Sequence, residues 1–467
     1  MTMSSLIKQL KEYNSKKIIP MHMPGGKRNS ALMDFPDPYS LDITEIEGFD
    51  NLHNPTGILK YEMERAANLY GSEESLICVN GSTSALTAAI CGAFEKGDKV
   101  LVARNCHISV INAIIIRELI PLFLYPEIDG FGIYKAINPV DVKDAMANDP
   151  DIKGFIMTSP TYEGVVSDIH GIAAILHEKD KVLIVDEAHG AHFVFHEYFP
   201  ESSVISGADS VVNSLHKTLP ALTQTALLHL NGKLINRERI RAFWNIYQTT
   251  SPSYVLMGSI SACFDLIGSE EGRKLFDKYA HDLKRLRSNL ASLKNIKLFE
   301  SDDPGKIVLL ANDGRELYDH MLCNYDIQPE MAASKYIIAM TSAADHKYSY
   351  CVFERACIEV DKVTQRAVFS SEVYYGKKHK QAMLPHKAFK KRFTEAETVE
   401  LEKTEGAVCL DNIVIYPPGT PQIVMGEVME KEDICIIKEA LKNSFAVLGV
   451  KQTNGGCKVS VLYRSSI

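Results

Sequence analysis

Short runs that are apolar from end to end constrain this chain more than any other feature. Val182-Leu183-Ile184-Val185 is the clearest of them. A strand with one wet face alternates apolar and polar residues, so a run with no polar face must be covered on both sides. Between about Lys60 and Leu230 the candidate strands are Leu76–Asn80, Lys99–Ala103, Pro121–Tyr125, Gly154–Ser159, Val182–Asp186, Ser210–Ser214 and Gln224–Leu230. Amphipathic helical patterns, such as Thr83–Lys96 and His107–Leu119, lie between them. Strand–helix alternation of this kind implies right-handed crossovers and a doubly wound α/β unit with a mostly parallel sheet. Ligands of such sheets sit at the carboxyl ends of the strands.

At 467 residues the chain exceeds one ordinary core. A long helical region is expected over roughly 252–292 and a smaller mixed α/β unit over 295–365. Lys377–Arg392, with seven Lys/Arg in sixteen residues, reads as a linker or exposed loop before a last unit that ends at Ile467. The division expected is 1–292 (N-terminal segment and major domain), 293–370 (small α/β domain) and 371–467 (C-terminal domain). In the last unit, Tyr416-Pro417-Pro418-Gly419 demands a sharp turn.

Met1–Lys17 alternates Leu/Ile with Lys and reads as an amphipathic helix rather than a signal peptide. The most apolar stretch, Val110–Tyr125, is interrupted by Arg117 and Glu118, so no membrane span is expected. A net charge of −8 argues against nucleic acid or an anionic membrane as partner. The ten cysteines contain no C-x-x-C pair and no metal-ligand spacing. They are expected to be buried, reduced thiols of a cytoplasmic protein that binds no structural metal.

Three signals at strand ends carry chemistry. The run 182–185 leads into Asp186-Glu187-Ala188-His189, and thirty-one residues after Asp186 comes Lys217, in Ser214-Leu215-His216-Lys217. A lysine at the end of a buried strand is desolvated toward its neutral form, the amine that condenses with an aldehyde. A carboxylate at the end of a neighbouring strand suits the partner of a protonated pyridine nitrogen. Asn80-Gly81-Ser82-Thr83-Ser84 follows a strand and opens a helix, which suits a phosphate cradle. Alone it is equally the ordinary opening of a capped helix. His107, at the next strand–helix junction, could lay a ring over a planar cofactor, or simply be a polar residue at a helix start. All three sites fall at one end of the proposed sheet.

With these residues the chain resembles the Orn/Lys/Arg decarboxylase family of fold type I, aminotransferase-like pyridoxal 5′-phosphate enzymes. Met23-Pro24-Gly25-Gly26-Lys27 is similar to the family's P-G-H-K element. Asp42-Ile43-Thr44-Glu45 and Leu52-His53-Asn54-Pro55-Thr56-Gly57 match its next blocks, and Ser214–Leu219 its S-x-H-K motif. Thr249–Tyr254 and Tyr416–Pro421 with Gly426-Glu427 match two further blocks. The resemblance, closest to the short biosynthetic arginine decarboxylase branch, implies a lyase that decarboxylates a basic amino acid, arginine before lysine or ornithine, in polyamine biosynthesis. It implies Lys217 as the Schiff-base lysine, Asp186 as the pyridine-nitrogen partner and His107 as the stacking ring. Ser82, Thr83, Ser214 and His216 would hold the phosphate, Ala188 would contact the cofactor, and His189 would line the substrate side. Thr250 and Ser251 would reach the phosphate of a neighbouring subunit, which requires a homodimer or larger homo-oligomer.

Two departures stand out: Gly26 replaces the histidine of P-G-H-K, and Met425 precedes Gly426-Glu427 where proline is usual. Both are expected near the active-site entrance, where Glu427 either reads the distal cation of the substrate or caps the helix near Glu430–Leu441.

Rival readings are weaker. Asp186-Glu187-Ala188-His189 spells a helicase Walker B motif, but no G-x-x-x-x-G-K-[ST] loop lies upstream. His189, His192 and His196 could line a helix face as metal ligands, yet the interleaved Phe193, Phe195, Tyr198 and Phe199 favour a surface or domain contact. The alternative within the same fold is another reaction on an amino acid, transamination or an amine-lyase step. A non-catalytic relative would have no chemical reason to keep Lys217, Asp186 and His107 together.

Overall fold

Seven strands form the main sheet of the computed structural model, which describes residues 5–364, 378–416, 419–442, 445–453 and 456–463. They are β1 (Glu74–Cys78), β2 (Lys99–Ala103), β3 (Ile120–Leu124), β4 (Ile152–Thr158), β5 (Val182–Asp186), β6 (Ser210–Asn213) and β7 (Ala226–Leu230). Their order across the sheet is β1-β7-β6-β5-β4-β2-β3. All seven expected strands are present, with ends shifted by up to two residues. β2 is parallel to β3 and β4, and β5 to β4 and β6. β7 is antiparallel to β6 and β1, because the link 214–225 returns the chain without a crossover helix on the sheet face.

Successive side chains of each strand enter different cores. Val100 and Val102 pack on one face of the sheet, Leu101 and Ala103 on the other. Val182 and Ile184 likewise oppose Leu183 and Val185. The helix Gly81–Ala93 covers the first face, and the helices Pro139–Asn148 and Ile169–His177 cover the second. A fully buried side chain such as Ile184 contributes about 1.5–3 kcal/mol.

The expected helical region is two helices, Tyr254–Ile267 and Glu270–Leu290. Ser269 restarts the chain by accepting from Gly272 N through its hydroxyl. A second sheet holds Lys297–Leu298, Lys306–Leu310, Met331–Ala332 and Tyr336–Met340, all pairing antiparallel. The N-terminal helix Leu6–Ser15 forms with no buried residue. The strand after it, Ile19–Met21, pairs with Ile327–Pro329. Lys27 ties this segment down by donating to three carbonyls, of Pro20, His22 and Met340.

Several expectations need correction. The basic stretch is not all loop: Pro385–Arg392 is a helix, because Pro385 opens it and Ala388 buries against Met425 and Val408. Lys377 at its start, the boundary at 370/371 and the Pro417-Pro418 turn lie outside the described residues. The cysteines are not uniformly buried: Cys323, Cys351 and Cys435 are exposed and Cys457 half-buried, and all ten are free thiols. Met425 is 5 % exposed inside an apolar cluster rather than at an entrance. Among the described residues no helix is long and apolar enough to cross a membrane, and no group of three potential metal ligands converges.

Candidate active site

One cavity opens at the carboxyl end of the main sheet. Its lining comes from the ends of strands and the turns after them: β1 (Ser82), β2 (Asn105 and His107), β4 (Thr158, Thr161, Tyr162 and Glu163), β5 (Asp186, Ala188 and His189) and β6 (Lys217). Tyr134 and Thr420 complete it. Parallel strands present their carboxyl ends together, so groups more than a hundred residues apart meet here.

Lys217 sits in the single helical turn Leu215–Thr218 after β6. Burial lowers its pKa, against the opposing pull of Asp186 and Glu330. Asp186, at the end of β5, is 4 % exposed. Burial raises its carboxyl, while Lys217 and the Ala188 N–H lower it; that N–H donates to Oδ1 at 3.2 Å. His107 is the N-cap of the helix Ile108–Arg117, and its Nδ1 accepts from Ser109 N at 3.2 Å. Burial above all pushes its ring down to about 4, so it is neutral. Gly419, at φ 89°, lies against that ring: a Cβ there would come within 2.9 Å of His107 Cδ2.

The segment 23–27 buttresses the Lys217 turn from behind. Gly25 N donates to His216 O at 2.7 Å, and a Cβ on Gly25 would stand 2.5 Å from Thr218 C. Gly26 has room, with Pro220 Cα 3.6 Å away. It borders the link after Lys217.

Of the four residues suggested for the phosphate, Ser82 lines the cavity and Ser214 is buried, its hydroxyl unpartnered among the described residues. Thr83 is exposed, and His216 directs Nδ1 to the Thr225 carbonyl at 3.0 Å. Thr250 and Ser251 are exposed and do not line this chain's own cavity. Glu187 is structural: it accepts from Ser202 Oγ at 2.7 Å, from Ser203 N and from Asn213 Nδ2 at 3.2 Å. His192 faces Asp303 in the second sheet's unit, 3.3 Å away, which is a contact between units.

Glu427 belongs to neither of its expected roles. It is 1 % exposed, and its Oε2 accepts from Arg104 Nη2 at 2.9 Å and from Val424 N at 2.7 Å. The helix Lys431–Lys442 takes its N-terminal bond elsewhere, from Glu430 N to Asp433 Oδ2. Glu427 is not a cavity residue because Arg104 already neutralises it.

Thr158, Thr161, Tyr162 and Glu163 escaped the sequence reading as site residues although they lie at or just after the end of an expected strand, which was the available signal. Glu163 is 4 % exposed; burial raises its carboxyl, and Tyr336 OH donates to it at 2.8 Å. It also faces a second, apolar pocket that shares Tyr134, Glu163 and Thr420 with the first. Phe131, Met331, Ile415 and Phe445 are among its walls, and Glu163 and Glu439 are its only charged lining residues among the described residues.

Pyridoxal 5′-phosphate fits these residues. Lys217 offers an amine, Asp186 a buried carboxylate and His107 a neutral ring face. Ser214 Oγ, Thr158 Oγ1 and Asn105 Oδ1 are buried polar atoms with no partner among the described residues. Buried polar groups rarely stay unpaired, so such atoms mark a place for a polar ligand.

Comparison with known proteins agrees with this chemistry. Residues 3–323 match the family model for the major domain of Orn/Lys/Arg decarboxylases, and residues 365–442 match the model for their C-terminal domain. An arginine decarboxylase of Bacillus subtilis (strain 168) is 28% identical over 94% of each chain. The uncharacterized protein YaaO of the same organism is 32% identical over 92% of each. The crystal structure of the Francisella novicida lysine decarboxylase LdcF superposes with a TM-score of 0.78 at 20% identity, covering 90% of this chain and 74% of that one.

Proposed function

The chain belongs to the Orn/Lys/Arg decarboxylase family, and from that premise we propose that it removes CO₂ from a basic amino acid, arginine first. The observation that carries the substrate class is the second pocket. Its apolar walls suit a methylene chain, and among the described residues its only charged lining groups are carboxylates, Glu163 inside and Glu439 at an exposed position. A buried distal cation requires such a partner. Arginine ranks first because relatives that align over nearly the whole chain are named arginine decarboxylases.

Pyridoxal 5′-phosphate, the family's cofactor, supplies when bound a pyridinium ring that takes up the electron pair of the breaking Cα–carboxylate bond. The protein's own groups do the rest. Lys217 would hold the cofactor, and Asp186 would keep a proton on the pyridine nitrogen. The neutral His107 would offer its face to the ring, and Ser82 and Ser214 would bind phosphate. Glu163 orients the substrate through its distal end, which sets the carboxylate relative to the ring. Thr250 and Ser251 are exposed between the helices Arg237–Tyr247 and Tyr254–Ile267, where they would reach the phosphate of a second copy in a homodimer. An amine made from a basic amino acid would be a polyamine or its precursor, which supports a role in polyamine metabolism. The free cysteines suit a reducing, cytoplasmic setting.

Incubation with arginine, lysine and ornithine, with CO₂ and amine measured, tests the reading. One of the three should be consumed, and Glu163→Gln should raise its KM about tenfold or more. Release of CO₂ from none of them, or preference for a neutral amino acid, would refute it. Sedimentation of an active, cofactor-loaded monomer would refute the shared site.

A further inference from the structure

Lys306 opens a strand of the second sheet and is 1 % exposed, yet no carboxylate lies within ion-pair distance of it among the described residues. Its Nζ instead lies 2.7 Å from His189 Nδ1 and 3.4 Å from Met340 Sδ. The other ring nitrogen of His189, Nε2, lies 3.1 Å from Lys217 Nζ. One imidazole therefore bridges two amines, and Tyr162 packs edge-on against it with ring centroids 4.9 Å apart.

A neutral imidazole carries one N–H, so one lysine donates to the ring and the other must accept from it. Only an unprotonated amine can accept. Burial above all, with the charge of Lys306, keeps His189 well below its ordinary pKa, so the ring is neutral. The two contacts differ in length, and charge-assisted bonds are the shorter ones. The 2.7 Å contact therefore belongs to a charged Lys306 donating to Nδ1, and Nε2–H points at Lys217.

We propose that Lys306 is a positioning residue for this reaction: it holds His189 in the Nε2–H tautomer, and the ring in turn keeps Lys217 an unprotonated amine ready to condense with an aldehyde. In that condensation Nζ bonds to the carbonyl carbon, and the carbonyl oxygen leaves as water with both amine hydrogens. The proposal rests on Lys217 being the cofactor-bearing lysine. Burial pushes Lys306 down to about 8, which leaves it largely charged at neutral pH. Asp303, Glu330 and Glu163 face Lys306 and hold its charge in place. Asp186 and Glu330 face Lys217 and favour its protonation against burial, and His107 and His216, both lowered by burial, also face it. The His189 bridge acts against those two carboxylates.

The test follows condensation of the full-length apo-protein with pyridoxal 5′-phosphate by absorbance, across pH, with borohydride fixation to locate the label. Lys306→Met is nearly isosteric and removes the donor. Its rate–pH midpoint should move up by about one unit, a roughly tenfold slower reaction at pH 7. His189→Gln keeps the Lys306 charge but breaks the bridge, and should move the midpoint the same way. Lys306→Arg, which keeps a cationic donor, should stay near the parent. Histidine nitrogen shifts in the parent should report the Nε2–H tautomer. An unmoved midpoint in Lys306→Met or, should that variant not fold, in His189→Gln would overturn the proposal. Label on a lysine other than 217 would instead overturn the reading beneath it.

Discussion

Arg104 Nη2 donates to Glu427 Oε2 at 2.9 Å, and this ion pair, sealed from solvent, ties the end of β2 to the C-terminal unit. Arg104 also donates to the carbonyls of Pro421 (2.6 Å) and Gln422 (3.0 Å). Removing one partner of a buried pair strands the other, at a cost of about 3–5 kcal/mol. Glu427→Ala is therefore expected to lower the chemical unfolding midpoint sharply while KM for the substrate stays unchanged. A raised KM with unchanged stability would return Glu427 to the substrate side.

Asp186 contacts the cofactor's ring nitrogen in the function proposed above. Asp186→Asn should still take up pyridoxal 5′-phosphate and lose roughly 10²-fold or more in turnover, as expected when a charge partner at a reacting centre is neutralised. Turnover close to the parent, measured at saturating cofactor, would contradict the role.

Gly25 and Gly26 are neighbours with opposite tolerances. A Cβ at Gly25 would collide with backbone of the Lys217 turn at 2.5 Å, whereas at Gly26 the nearest atom is 3.6 Å away. Gly25→Ala is expected to cost about 1–3 kcal/mol as overpacking. Gly26→Ala should stay within about 0.5 kcal/mol. Matched denaturation curves for the two variants check this, and equal effects would argue against the close approach.

His229 lies in the main sheet, and burial pushes its ring from the ordinary 6.5 down to about 3. The unfolded chain thus binds this proton first as pH falls. Its contribution to stability is complete above pH 6.5 and is lost as pH drops toward 3. His229→Leu should flatten the decline of the unfolding midpoint between pH 7 and pH 4.5. The loss of its 2.7 Å contact leaves Ser75 still bonded to Ser72. A decline as steep as the parent's would assign the acid sensitivity to other groups.

Much of the main sheet was legible because its causes are local. An apolar run such as 182–185 announces cover on both faces, and strand–helix alternation orients the ends that carry Asp186, His107 and Lys217 toward one cavity. The helix Pro385–Arg392 was missed because its buried face is narrow, with only Pro385 and Ala388 fully inside, so periodicity is weak amid the lysines.

The sequence by itself determined which strands form and which of their ends hold the amine, the carboxylate and the imidazole, since neighbours along the chain dictate strand, turn and helix start. Only the tertiary structure decided what those groups touch. Lys306 reaches His189 across 117 residues and Arg104 meets Glu427 across 323. Neither meeting has a local signature: each depends on how separately formed units pack. The same carboxylate at position 427 would face a substrate or an arginine according to that packing alone.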